Sequence, residues 1–410
     1  MNMKLFSRFS SPAALLGILL CLNEPFAIGA LPPDQEKLAA ANNGFALGLL
    51  KQTVQEQPAT NVFLSPYSVS LVLEMIANGA ATQTKQEMER VLGIAGLVTS
   101  LRNQACKELD ASIRSASTNV ALTLANSIWY RPGIELRPEF ASANQDYFSA
   151  ALNMLDFTDP RAAGIMNKWV DENTHGKIKK IIDPPISGDF RVFLANAVYF
   201  KGTWQAQFDK KETRSRPFHL LNGGQSQVAM MHQKGHFPYQ EGNAFQAIRL
   251  PYTGKRLGMF VLLPQTNSSL EKLVANLDGA AWKNTILPKF VSREGTIALP
   301  RFKLDYGVQL KPILQAMGMK LPFDRSADFS KMSATPLYLD EVKQKSFVEV
   351  NEEGTEAAAV TLGGMKATSI GPGPKPFEMI VDRPFLFLIE DNLTHSILFL
   401  GVVVEPTDGG

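Results

Sequence analysis

Reactive side chains are scarce in this sequence. Of its 410 residues, two are cysteine and five are histidine. Cys21 falls in the N-terminal segment; once that segment is removed only Cys106 remains and no internal disulfide can form. An oxidising compartment would be tolerated but not exploited. Cys106, in a mixed stretch beside Lys107, reads as an inert thiol rather than a reactive one. His175, His219 and His395 are scattered. His232 and His236 have a helical metal spacing, but Gly235 lies between them and their neighbours read as strand, so structural or solvent roles are favoured. No Gly-x-Ser-x-Gly, P-loop or dinucleotide glycine fingerprint occurs, which leaves the matching hydrolytic, phosphoryl-transfer and redox chemistries without support. The chain is expected to be no enzyme and to hold no metal or cofactor.

One-sided charge is lacking too. The formal net charge is +2, so no bulk field draws nucleic acid or acidic membrane. The small basic cluster Lys177, Lys179 and Lys180 reads as a solvated face before a glycosaminoglycan site. The main apolar run, Ala13 to Leu22, lies behind Lys4 and Arg8 and ahead of the small residues Ala27, Gly29 and Ala30. That is the three-part layout of a secretory signal, too short to span a membrane. Residues 1–30 are therefore expected to be a cleaved signal peptide, and residues 31–410 a single secreted domain, extracellular or periplasmic. A lipid anchor at Cys21 is the lesser alternative, because Leu20 stands where a small residue is expected.

The remaining chain reads as helices mostly first and strands mostly later, without βα alternation, which points to an α+β fold. Helices are expected at Asp34 to Gln57, from Pro66 to Gly79 with Ser65 as N-cap, and from a Thr84/Glu87 capping box to Leu92. Further helices follow near Leu101 to Ser115, from Pro138, from Asp159-Pro160, and over Ser269 to Trp282. Strands are expected at Val120 to Tyr130, Leu152 to Phe157, Phe190 to Gly202, several between Phe208 and Pro264, and Thr296 to Leu304. Asp305 is then expected to cap a helix closed by Gly318, before strands at Leu337 to Val350, Pro384 to Glu390 and Ser396 to Glu405.

One stretch breaks this rhythm. Phe347 to Val350 alternates like a strand, but roughly thirty residues then separate Gly354 from Pro384 with no strong helical pattern and no early turn signal. From Thr355 every second residue is Thr355, Ala357, Ala359, Thr361, Gly363, Met365 and Ala367, uncharged and mostly small. The intervening set holds Glu356 and Lys366. Alternate residues of a strand face alternate sides, so this segment could enter a sheet with its uncharged set inward. An exposed loop patterned as a central strand suggests a spring.

The string EEGTEAAAV resembles the hinge of a serpin reactive-centre loop, and MIVDRPFLFLI resembles the serpin signature that follows it. NVFLSPYSVSLVLEMIANGAATQTKQEMERVL and NAVYFKGTW are similar to serpin core segments, and the likeness spans about Asp34 to Pro406. It implies eight to nine helices around three β-sheets, and a monomeric suicide-substrate inhibitor of serine endopeptidases, with cysteine endopeptidases as a further target class, and the reactive loop at about 352–378. The hinge would be Glu352, Gly354, Thr355, Glu356, Ala357, Ala358 and Ala359. Ser65, Ser68 and Asn196 match positions under the main sheet, with Gln344 where the family often has histidine; Trp204 matches the tryptophan where the loop first enters. Family spacing counts sixteen residues from Glu352 to place the reactive bond at Thr368-Ser369, with Met365 and Lys366 as rivals. Gly371-Pro372-Gly373-Pro374 holds a surplus over the common loop length. Thr368 would suit elastase-like or subtilisin-like proteases, and Lys366 trypsin-like ones. A non-inhibitory serpin-fold binding or chaperone-like protein is the alternative.

Overall fold

The computed structural model describes residues 31–116, 120–355 and 375–407. Residues 1–30, expected to be a signal segment and holding Cys21, and the positions Glu356, Ala357, Ala358, Ala359, Met365, Lys366, Thr368 and Ser369, lie outside the described residues.

The first half carries α1 (Pro33–Glu56), β1 (Val62–Leu64), α2 (Pro66–Ala77), α3 (Thr82–Val91), α4 (Thr99–Ser115), β2 (Val120–Tyr130), α5 (Pro138–Phe148), β3 (Ala151–Met154), α6 (Ala162–Asn173) and β4 (Val192–Thr203). Then come β5 (Arg214–His219), β6 (Gln225–Glu241), β7 (Phe245–Pro251), β8 (Leu257–Pro264), α7 (Leu270–Asn276), α8 (Gly279–Ala281), β9 (Val291–Pro300) and β10 (Phe302–Gln309). The chain closes with α9 (Lys311–Ala316), β11 (Glu341–Val350), β12 (Gly354–Thr355), β13 (Phe377–Ile380), β14 (Phe385–Asp391) and β15 (Ser396–Val403).

Among the described residues the strands join two hydrogen-bonded networks. A six-stranded sheet runs β10-β11-β4-β2-β3, with β12 on β4. A nine-stranded one runs β1-β15-β14-β8-β7-β6-β9-β13, with β5 on β6. The second is nearly two sheets, because β6 meets β7 only over Tyr239 to Glu241, whereas it pairs with β9 from Met230 to Tyr239.

The middle of the six-stranded sheet lies between two apolar cores. On β4, Leu194, Val198 and Phe200 face the large core shared with α2, while Phe193, Ala195, Ala197 and Tyr199 face a smaller core under α6. A strand buried on both faces needs an unbroken apolar run, and VFLANAVYF supplies one with a single polar residue.

Several local expectations are corrected. Asp305 caps no helix: it sits in β10 opposite Phe347, and α9 begins at Lys311. Phe302, Leu304, Tyr306 and Val308 are buried on alternate positions, a strand period that overrides the capping potential of one aspartate. The strand expected over Thr296 to Leu304 is two strands, β9 and β10, which belong to different networks. The Thr84/Glu87 box is not formed. Helix α3 starts at Thr82; Thr84 accepts from the Asp328 amide, and Glu87 accepts from the amides of Lys320 and Leu321. The helix expected over Ser269 to Trp282 breaks after Asn276, and Asp278 caps the next turn. His232 and His236 both lie on strand β6. The Cys106 thiol is buried and donates to Glu74 at 2.8 Å; burial, followed by the Glu74 carboxylate, pushes its pKa up and keeps it protonated.

Candidate functional site

Strands β11 and β4 are parallel neighbours. Their pairing runs from Glu341 opposite Phe193 to Phe347 opposite Tyr199. Above that point β12 takes over on β4, antiparallel, with Gly354 opposite Thr203 and Thr355 opposite Gly202. The chain therefore climbs β11, turns at Asn351 to Gly354, and starts downward against β4. Parallel strands normally need long crossovers; here the seam between two of them is entered at the top by an antiparallel start.

Glycine makes this reversal possible. Gly354 has φ +139°, and a Cβ there would lie 2.2 Å from the Gly202 carbonyl. Gly202 in turn leaves room for the Tyr252 ring, which a Cβ would meet at 2.7 Å. Trp204 anchors the turn. Its indole donates to the Asn351 carbonyl at 2.9 Å, its amide donates to the Glu353 carbonyl at 3.0 Å, and its ring stacks on Tyr252 at 4.6 Å. The Phe208 amide donates to the Glu352 carbonyl at 2.9 Å.

Glu352 is 2% exposed and holds the turn to the body. Arg301 reaches both its oxygens through Nε at 2.9 Å, and Thr213 donates from its hydroxyl. Burial alone would raise this carboxyl's pKa, but the Arg301 and Thr213 hydrogen bonds outweigh it and hold it below the ordinary carboxylate range. Lys210 pairs with Glu353. A cavity of about 450 Å³, lined by Arg301, Lys303, Glu349 and the turn, opens beside these contacts. Arg301, Thr213 and Lys210 were not legible as partners in the sequence. Arg301 stands at the break between β9 and β10, and no local pattern announces a contact fifty residues away.

Lower in the seam sits a buried polar latch. Gln344 and Asn196 face each other across β11 and β4. Gln344 donates to Asn196 Oδ1 at 2.5 Å and to the Ser65 carbonyl at 3.0 Å, and accepts from the Ser65 amide at 3.1 Å. Asn196 donates to Ser68 Oγ at 2.5 Å and to Asn126 Oδ1, and Ser68 donates to Asn126 at 3.0 Å. Ser65, Ser68, Asn196 and Gln344 are all fully buried. Ser65 does precede the first residue of α2, yet its hydroxyl is not a helix cap; it donates to the Leu398 carbonyl at 2.9 Å. Asn126, on β2, is a member that sequence reasoning missed, and Ser346, buried next to the latch on β11, donates instead to the Phe63 carbonyl at 2.6 Å. Ser65, Ser68, Asn196 and Gln344 thus meet in one cluster. Trp204, Glu352, Gly354 and Thr355 meet at the seam's open end.

Comparison with known proteins agrees with this architecture. The family described as serpin (serine protease inhibitor) matches residues 40–406. Iripin-3 of Ixodes ricinus is 37% identical over 90% of this chain and 95% of its own length. Leukocyte elastase inhibitor of Sus scrofa is 35% identical over 90% of this chain and all of its own length. Among solved structures, the thermophilic serpin tengpin in its native state superposes with a TM-score of 0.82 at 28% identity, covering 92% of this chain and 95% of that one. A match spanning nearly the whole described body, with relatives above 30% identity, shows the family: the chain belongs to the serpins.

Proposed function

We propose that this protein is a secreted suicide-substrate inhibitor of endopeptidases that traps its target by inserting the cleaved loop between β4 and β11. The observation that carries this reading is β12, two residues already seated on β4 in the orientation that insertion requires. Extending that register downward would set Glu356 against Lys201, Ala357 against Phe200, Ala359 against Val198 and Thr361 against Asn196. Directly opposed residues share a face. The small uncharged set would therefore meet the large core that Phe200 and Val198 line, and Glu356 would gain a lysine neighbour. Thr361 would arrive where Gln344 now bonds Asn196, so its hydroxyl could replace that link.

The chemistry belongs to the protease. Its nucleophile would attack the reactive bond, for which Thr368-Ser369 is our choice and Met365 or Lys366 the rivals, and would form an acyl-enzyme. Fourteen residues, Thr355 to Thr368, span about 46 Å when extended at roughly 3.3 Å each, enough to drag the acylated enzyme along the sheet before water releases it. The driving force is the completed sheet, a stored-strain release of the kind known for serpin loop insertion.

Leukocyte elastase inhibitor among the relatives supports a target with a small pocket. Human thyroxine-binding globulin, a structure of TM-score 0.82 at 25% identity, shows that this fold also occurs in a binding protein and motivates the alternative. Mixing the protein with pancreatic elastase, subtilisin and trypsin separates the two. A trap gives a complex that survives SDS, and the clipped protein melts at least about 10 °C higher, from roughly ten added sheet hydrogen bonds at about 1 kcal/mol each. Clean loop cleavage with an unmoved melting temperature would sink the trap reading.

A further inference from the structure

Strand β5 lies between the two feet of the reactive loop. At its start the Thr213 hydroxyl bonds the Glu352 carboxylate, just ahead of the point where the loop leaves the body. At its end the His219 amide donates to the Asp382 carbonyl at 2.7 Å, just past β13, where the returning chain is anchored. Among the described strands β5 pairs with β6 alone, and its outer edge meets Asp382 at His219. A protease holding the loop would therefore stand over this strand.

The segment is cationic. Lys211, Arg214 and Arg216 are exposed, and Glu212 is the one acid between Lys210 and His219. Arg214 is folded back on its own turn, donating to the carbonyls of Lys211 and Thr213. The Lys211 ammonium and the Arg216 guanidinium have no carboxylate partner among the described residues. The facing β6 positions, Val228 opposite Arg216 and Gln227 opposite Pro217, carry no charge. On a chain of net charge +2, this is a local concentration and not a bulk property.

We infer that Lys211 and Arg216 form an exosite for the acidic surface of the target endopeptidase. The inference rests on the protease-trap reading and deepens it by naming the charge of the target's rim. Like charges beneath the loop raise encounter with a protease whose rim is acidic and lower it for a basic one, and such steering changes association rates by about ten-fold or more at low salt.

The test uses anionic and cationic trypsin, whose shared specificity accepts Lys366, each in active form and with its catalytic serine blocked. The wild type is compared with Lys211→Glu/Arg216→Glu and with the neutral Lys211→Gln/Arg216→Gln, after matched thermal midpoints show that all three fold. Binding of the blocked anionic isoform is expected to weaken about ten-fold in the reversed variant and by less in the neutral one, with the difference shrinking at about 0.5 M salt. The cationic isoform should bind the reversed variant no more weakly than the wild type. Equal binding of the anionic isoform to all three variants overturns the exosite. If heparin retention alone is lost, the patch serves a polyanion and the inference is likewise overturned. The trap is judged separately with active pancreatic elastase, subtilisin and both trypsins: loop cleavage by all of them without an SDS-stable complex defeats that reading, while the blocked trypsins still decide the exosite.

Discussion

Two sheet centres in this molecule are built on opposite principles. Strands β8, β14 and β15 are buried at every position, and their mutual pairing is antiparallel and mainly apolar, with Glu390 and Asp391 kept to one end. The β4–β11 seam is parallel and stops short of the top. Its middle is occupied by fully buried Asn196, Gln344 and Ser346. Apolar burial is non-directional and is lost gradually as surfaces part. A buried hydrogen-bond network is satisfied in one arrangement and costly in every partial one. The first centre is made to stay shut. On the proposed trap reading the second has two states, closed by Gln344 or filled by the inserted loop.

The sharpest way to break this contrast is to spoil the incoming strand. Thr355→Arg leaves the body untouched but puts a guanidinium on the residue paired with Gly202, ahead of every later insertion step. Burying an unpaired charge costs several kcal/mol. Complex formation should fall by roughly ten-fold or more while loop cleavage continues, as read from the ratio of SDS-stable complex to clipped protein. Unchanged trapping would show that insertion does not begin at β12.

The patterned stretch from Thr355 carries the plainest local signal in the chain, a period of two and a run of small residues, but from Glu356 on it lies outside the described residues. Trp204, Asn196 and the Ser65-Pro66 start of α2 were legible through strong segment likeness, and most helices and strands through their periods. What escaped reading was long-range. Arg301 fell inside the strand expected over Thr296 to Leu304 and proved to be the clamp on Glu352; Asn126 fell inside the strand expected over Val120 to Tyr130 and proved to close the latch. Ser65 was read as a cap because caps are local, but its hydroxyl serves Leu398, which no pattern at position 65 encodes. The Asp305 error has the same origin: a good cap residue lost to strand pairing with β11.

The latch itself comes next. Gln344→Leu keeps the volume but orphans the Ser65 amide and Asn196 Oδ1, while the Ser65 carbonyl keeps the Val69 amide. At about 1–3 kcal/mol per buried unmade bond, partly relieved by relaxation, a loss of about 2–4 kcal/mol is expected in the denaturant midpoint, together with faster collapse of the uncut protein. Gln344→His sharpens the point. Glutamine cannot titrate, whereas a histidine there would make the closed state depend on pH near its ordinary pKa of about 6.5. A flat profile for that variant would mean the latch does not control closure.

A smaller effect is expected at the top of the seam. Because the Glu352 carboxyl is depressed on folding, its contribution is present above the unfolded carboxylate pKa of about 4.3 and is lost as pH falls through the lower folded value. Arg301→Met should remove that acid dependence and cost about 1–2 kcal/mol at neutral pH, since the stranded carboxylate keeps Thr213 as a partner. Denaturant midpoints taken from pH 7 down to 3 would show it; an unchanged acid limb would mean that the turn is held by backbone contacts to Trp204 and Phe208 alone.

The smallest effect tests the shut sheet at its one charged end. Glu390 is buried, accepts from the Trp282 indole at 2.7 Å, and meets His395 Nδ1 at 3.0 Å. That hydrogen bond raises the His395 pKa against the opposing pull of burial, with Asp391 adding to the rise and Lys283 opposing it. A raised folded pKa means stability that is fully present below about pH 6.5 and fades as pH climbs through the folded value. His395 is about half exposed, so solvent screening keeps the term under about 1 kcal/mol. His395→Gln should flatten the difference between midpoints at pH 5.5 and 8.5 while leaving trapping unaltered. If trapping changed as well, the two sheet centres would be energetically joined, and the division between a permanent core and an opening seam would have to be redrawn.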